Sequence, residues 1–212
     1  MANLFLILGV DESASTEHID EAFNYLNQKL HPTLFAPGSA AERQAILCWQ
    51  RIVPSYQLMK DPGKRDRARE IALAERARPF EPNDFKPFLG HICVAAGIIT
   101  LDDLKEAIEK QADIDLPLGQ ILQEKQLLSQ TELDGLLMGQ RLFGAPNRPL
   151  DEVTTRLLEL GVITKDMVKI ALIDQRTAYG TTVPQLLIKR GWVDERILRV
   201  IVEQPAATST TI

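Results

Sequence analysis

Cysteine and histidine are scarce in this chain. Its 212 residues hold two cysteines, Cys48 and Cys93, and three histidines, His18, His31 and His91. Both cysteines fall on apolar faces of segments with helical period, so they read as buried thiols rather than a disulfide or a zinc site. No histidine has a neighbouring cysteine or acid in a ligand pattern, so no metal site is expected and all three are assigned core or surface roles. Long apolar runs are also missing. Residues 94–100 and 186–188 fall far short of the roughly 20 residues that span a bilayer. The run 5–10 has no basic residue before it and meets Asp11 and Glu12 at once, unlike a secretion signal. The expectation is therefore a cytoplasmic protein with no membrane insertion. No Ser/His/Asp or Cys/His set stands out, and no glycine loop runs into Lys-Ser/Thr. No enzyme and no catalytic residue are expected.

Aromatic residues make up 6% of the chain, and none stands among the arginines of its one basic stretch. That stretch, residues 60–78, holds 7 basic and 4 acidic side chains, against a net charge of −5 for the whole chain. Asp61, Asp66, Glu70 and Glu75 are interleaved with Lys64, Arg65 and Arg69 at helical spacing, the pattern of a solvated helix with paired charges. With no ring to stack on bases, no nucleic-acid partner is expected.

What the chain does have is a repeat. Leu89-Gly90 is followed by Cys93, Gly97, Leu104, Ile108 and Gln111. Leu118-Gly119, Leu122, Gln126, Leu133, Leu137 and Gln140 each lie 29 residues after their counterparts. A fixed period of this kind marks units that cannot bury their apolar faces alone. Each unit reads as a short helix, a tight turn and a longer helix. Gly97 has the place of a left-handed C-terminal glycine. Thr100 with Asp103, and Ser129 with Glu132, form capping boxes. Leu104, Ile108, Leu133 and Leu137 are expected to be buried. Gly90 and Gly119 sit early in short helices, at a cost of roughly 1 kcal/mol each against alanine. Close helix packing or backbone approach to a ligand would account for them. A looser pair follows: Leu157, Gly161, Val168, Leu172 and Gln175, then Val183, Leu187, Gly191, Leu198 and Val202. Its glycines are 30 residues apart, Thr154 and Pro184 replace the early glycine, and Gln204 falls one position early.

This pattern resembles the MshEN-type N-terminal domain of type II secretion and type IV pilus assembly ATPases, whose unit reads Arg-Leu-Gly-x-x-Leu-x-x-x-Gly, then Leu, Leu and a closing Gln. The resemblance implies a helical domain able to bind cyclic di-GMP. Its candidate ligand-binding set here is Leu89, Gly90, Gly97, Leu104, Ile108, Gln111, Leu118, Gly119, Leu122, Leu133, Leu137 and Gln140. The leading arginine is missing from every copy. Phe88, Pro117, Glu152 and Thr182 hold its positions, and none offers the planar fork that suits guanine and phosphate. A protein-interaction module without cofactor is the primary expectation, and cyclic di-GMP sensing is the alternative.

The first third of the chain resembles a J-domain. It opens with Leu8-Gly9-Val10. A helix from Ser15 carries Ile19, Ala22, Phe23 and Leu26 and ends at His31-Pro32-Thr33. A further helix carries Ile46, Trp49, Ile52 and Tyr56, and Asp61-Pro62-Gly63-Lys64-Arg65 opens the last one. The resemblance implies a partner of the DnaK-type chaperone class, stimulated through a His-Pro-Asp loop and a basic second helix. Thr33 replaces the loop aspartate and lacks its charge. The helix before the loop carries Glu17, Asp20 and Glu21 against Lys29. Pro54 is expected to kink or break the third helix. A DnaK-type partner is therefore not expected, and a specialised co-chaperone is the second alternative.

The expected fold is all-α, a small J-like domain followed by tandem helical-repeat bundles. Residues 1–76 form the J-like domain and 77–87 a linker. Residues 88–141 form the first repeat pair, 142–150 a linker, 151–204 the second pair and 205–212 a disordered tail. The expected role is a non-catalytic bacterial adaptor with protein partners, linked to type IV pilus, secretion or motility machinery.

Overall fold

In the computed structural model, residues 3–78, 81–114 and 116–204 are described. The expected tail and part of the first linker, Pro79 and Phe80, lie outside them. The described residues form twelve α-helices with short 3-10 turns and no strand, as the helical periods anticipate. They divide into two compact units. One comprises residues 1–80, 150–164 and 187–212, the other residues 81–149 and 165–186.

In the first unit α1 (Leu4–Leu8), α2 (Thr16–Leu30), α3 (Ala40–Met59) and α4 (Pro62–Arg76) form the J-like bundle. Side chains of Asn3, Ser15, Ser39 and Asp61 cap the four helix starts. Such a cap satisfies a backbone donor that the helix leaves open. Phe5, Ile7, Leu8, Ile19, Leu26, Leu30, Ile52 and Met59 make the core. Contrary to expectation, α3 is not broken at Pro54. Pro54 and Gln50, whose carbonyl loses its donor, are both on the exposed side, where water can take the donor's place. The arginines of α4 do more than form a solvated face. Arg69 Nε donates to Glu12 O at 2.6 Å, and Arg76 pairs with Glu12 at 3.4 Å, tying the helix to the loop after α1.

The second unit contains α5 (Leu89–Ala95), α6 (Leu101–Asp113), α7 (Leu118–Glu124), α8 (Gln130–Gln140) and α10 (Lys165–Gln175). Segment 151–204, read as one repeat pair, is shared out. From it α9 (Glu152–Glu159) and α12 (Glu195–Glu203) belong to the first unit, α10 to the second, and the boundary falls within α11 (Val183–Lys189). The reason is in the buried faces. Val168, Ile170, Ala171 and Ile173 make α10 apolar on more than one side, and it packs on α5. Arg156 and Leu157 carry α9 into the core beside α1, and Ile197 and Ile201 set α12 on α2 and α3.

The repeat survives this division. At the end of each short helix the same hydrogen bond recurs: Ile98 N to Cys93 O, Leu127 N to Leu122 O, Val162 N to Leu157 O, and Trp192 N to Leu187 O, at 2.9–3.1 Å. The residue inside each loop is left-handed. Gly97, Gly161 and Gly191 have φ +72°, and Gln126 takes the same place with φ +58°. This is the six-to-one helix ending that favours glycine.

Candidate functional site

Two surfaces follow from the sequence, the His-Pro loop of the first unit and the leucine-glycine repeat of the second. The loop follows α2 as a 3-10 turn, Pro32–Leu34. His31 Nδ1 lies 2.8 Å from Thr33 Oγ1 and also accepts from Thr33 N at 3.4 Å. An accepting Nδ1 puts the ring proton on Nε2 and makes the threonine hydroxyl the donor. The hydroxyl at the third loop position is thus turned onto His31 at the surface, and no carboxylate stands there. The imidazole stands edge-on to Trp49, with ring centres 4.9 Å apart.

Trp49 belongs to a ladder of rings across α2 and α3. It stacks on Phe23 at 5.8 Å, and Phe23 stacks on Tyr56 at 3.9 Å and 8°. Tyr56 donates its hydroxyl to Asp20 at 2.8 Å, and Lys60 Nζ holds both oxygens of Asp20 at 2.9 Å. The bonds from Lys60 and Tyr56 keep the Asp20 carboxyl below its ordinary range. One of the three acids of α2 is therefore neutralised from α3, and Glu17 and Glu21 remain exposed. The ladder joins helix-face residues that are far apart in sequence. The helical periods contain Phe23, Trp49 and Tyr56 but do not say that they meet.

The carboxyl-terminal helices are built into this unit. Gln44 on α3 clasps the turn before α12, donating Nε2 to Trp192 O at 3.0 Å and accepting from Asp194 N at 2.9 Å. The guanidinium of Arg196 lies over the ring of Phe35. Arg156 of α9 is 5% exposed and donates to Ile201 O at 3.2 Å, Ile7 O at 3.5 Å and Gln204 Oε1. Gln204 Nε2 completes the set by donating to Leu8 O at 2.7 Å. These partners are neutral oxygens, and burial lowers the Arg156 pKa to about 10, so the side chain is still charged at neutral pH. Its Nε is buried without a partner among the described residues. Gln204, read only as a displaced closing glutamine, and Arg156, not singled out from sequence, together tie α9 and α12 to the Leu8-Gly9 turn. Burial also pushes the Cys48 thiol up to about 12 and the Cys93 thiol to about 11, so both are protonated, unreactive core residues.

In the second unit the structure supplies a packing reason for the early glycines. Leu104 side-chain atoms occupy the place of a Cβ at Gly90, with Leu118 Cδ2 a further 3.1 Å neighbour. Leu133 Cδ1 would lie 2.8 Å from a Cβ at Gly119. Leu104, Leu122 and Leu133 are buried, as are Gly90 and Gly119, and Leu89 and Leu118 are half-buried. The expected burial of Ile108 and Leu137 is corrected: they are 46% and 45% exposed. Leu104 and Leu133 already fill the glycine notches, and the apolar residue one turn later faces outward. The closing glutamine has a local partner. Gln111 Nε2 donates to Leu116 O at 3.0 Å, and Gln175 Nε2 to Thr181 O at 2.9 Å. Both acceptors stand two residues before the next short helix, so this clasp recurs in the looser pair. Gln140 is half-buried and Gly97 exposed.

His91 joins α5 to α10. Its Nδ1 accepts from Phe88 N at 2.9 Å and its Nε2 faces Asp166 Oδ1 at 3.0 Å, while Lys169 lies over the Phe88 ring at 5.1 Å. Phe88, at a missing-arginine position, is thus held by its own helix start and by a lysine of α10.

Three J proteins are similar to part of this chain. Chaperone protein DnaJ of Thermoplasma volcanium is 41% identical over 61 residues, 29% of this chain and 16% of that protein. Chaperone protein DnaJ 1 of Cutibacterium acnes is 36% identical over 59 residues, 28% of this chain and 14% of that protein. Adaptation to cold protein J of Shewanella oneidensis is 33% identical over 67 residues, 31% of this chain and 71% of that protein. The chain belongs to the DnaJ-like family of J proteins. It spans about one-seventh of the length of the two DnaJ chaperones. No family model and no solved structure matches it. Among the described residues, no helix is long and apolar enough to cross a membrane.

Proposed function

We propose that this protein is a non-catalytic, cytoplasmic bacterial adaptor whose J-like unit docks a protein partner without stimulating a DnaK-type ATPase. The observation that carries this reading is the His31–Thr33 loop. A hydroxyl stands where the family's carboxylate acts, and it is engaged within the loop. The exposed acids Glu17 and Glu21 on α2 support it, because such a surface repels the acidic patch that a basic helix meets. Gln44 adds support, since a J-like helix already holds the chain's own carboxyl-terminal segment.

The similarity to DnaJ chaperones and the retained His31-Pro32 favour a second reading, a specialised co-chaperone. A single-turnover ATPase assay with a DnaK-type chaperone separates the two. The adaptor reading expects no stimulation by the wild type and none by Thr33→Asp, whose α2 remains acidic. Several-fold stimulation by the wild type establishes the co-chaperone reading.

The finer assignment, a partner in a pilus, secretion or motility machine, rests on the repeat pattern of residues 88–140. A pull-down from native cells, with and without cyclic di-GMP, tests it. With Phe88 and Pro117 at the arginine positions, the account expects no cofactor and no calorimetric heat at high-micromolar cyclic di-GMP. Sub-micromolar affinity abolished by Gln111→Ala or Gln140→Ala would make the second unit a nucleotide sensor.

A further inference from the structure

Helix α8 and the turn after it leave two large apolar side chains uncovered. Met138 and Leu142 are each 76% exposed, and α8 buries only Leu133. Leu142 continues the helical turn beyond Gln140 through a bond from its N–H to Gly139 O at 2.8 Å. Gly135, Met138, Gly139 and Leu142 are spaced i, i+3, i+4, i+7 and so share one face. The glycines on that face differ from Gly90 and Gly119. A Cβ at Gly135 or Gly139 would meet nothing within 4 Å. The face therefore carries two protruding apolar side chains and two unfilled notches.

We propose that this face is the contact between two copies of the chain, with α8 packed antiparallel on α8 of a second copy about a two-fold axis. The occupant follows from self-complementarity. In one antiparallel register Leu142 lies opposite Gly135 of the second copy and Met138 opposite Gly139, so each protrusion meets a notch, and the two-fold repeats both pairs. A surface that complements itself forms a closed, isologous dimer. Charge agrees with the same register. Asp134 and Arg141 lie on one flank of the face, and about one helical half-turn of offset brings Asp134 of one copy within reach of Arg141 of the other. Arg141 has no ion pair among the described residues, and Asp134 is engaged there only by Gln130, at 2.8 Å.

Sedimentation velocity of the full chain, from about 1 to 500 µM, tests the proposal. One helix pair gives a small interface, so a monomer–dimer equilibrium in the range of about 10–100 µM is expected. Gly139→Leu fills the notch and raises helix propensity, and it should abolish the dimer with helicity unchanged by circular dichroism. Asp134→Arg and Arg141→Asp should each weaken association about three- to tenfold, and the double exchange should restore it. A wild type that stays monomeric throughout overturns the proposal and leaves the face to a different partner. A dimer that survives Gly139→Leu at full strength, or charge exchanges that do not compensate, place the contact elsewhere and also overturn it.

Discussion

Leu104 sits where a side chain on Gly90 would have to go. The same relation joins Leu133 to Gly119, 29 residues later. The glycine is therefore one half of a packing pair, and the leucine that closes it comes from the longer helix of the same unit.

Gly90→Ala is expected to destabilise the second unit by about 1–2 kcal/mol, because overpacking against buried Leu104 outweighs the gain in helix propensity. Gly135→Ala, at an open position, should instead stabilise by about 0.5–1 kcal/mol. Hydrogen exchange of α5 and α8 amides, at a concentration near 1 µM, distinguishes the two. Equal effects of the same sign would contradict the packing-pair explanation.

Gln126 occupies the left-handed position that glycine holds in the other three units. A non-glycine residue there carries strain of about 1–2 kcal/mol. Gln126→Gly is expected to stabilise the second unit by up to about 1 kcal/mol in chemical denaturation followed by circular dichroism. A loss of stability would mean that the glutamine side chain makes a contact worth more than the strain.

The fold was legible in sequence wherever a local pattern determined it. The caps of Thr100–Asp103 and Ser129–Glu132 stand as read, with backbone bonds of 2.8–3.3 Å. So do the helix endings and the J-like helix order. Relations set by tertiary packing were not legible. Period alone could not show that Leu104 and Leu133 face inward while Ile108 and Leu137 face out, because all four share one helical spacing. Nor could it divide segment 151–204 between two units, since that depends on which helix meets the buried faces of α9 and α10. For the loop, the sequence supplied Thr33, and the structure added that its hydroxyl is turned onto His31.

His91 gives the second unit a pH dependence. Burial holds its pKa below the usual 6.5, although the bond to Asp166 opposes this. Below about pH 6.5 the unfolded chain takes up a proton that the folded one resists, so stability falls as pH drops through that value. Burial opposes ionisation of the Asp166 carboxyl, but His91 and Lys169 hold it below its usual 3.8, so its contribution is present above that value and is lost as pH falls below it. The difference in urea midpoint between pH 7.5 and 5.5 should shrink in His91→Asn. An unchanged difference would assign the slope to other groups.

The central structural claim is that α9 and α12 complete the J-like unit by seating Arg156 against Gly9. Gly9 has φ +69°, and a Cβ there would lie 2.5 Å from the guanidinium carbon. The direct measurement is a double-mutant cycle of Gly9→Ala and Arg156→Ala by urea unfolding of the full chain. Tryptophan fluorescence is a suitable signal, because Trp49 and Trp192, the two tryptophans, both belong to this unit. Each single change should cost about 2–4 kcal/mol. In the Arg156→Ala background, Gly9→Ala should cost only its backbone strain of about 1–2 kcal/mol, giving a coupling of at least about 1 kcal/mol. Costs that add to within about 0.5 kcal/mol would show that Arg156 does not occupy the space beside Gly9, and the carboxyl-terminal helices would then not be part of the J-like unit.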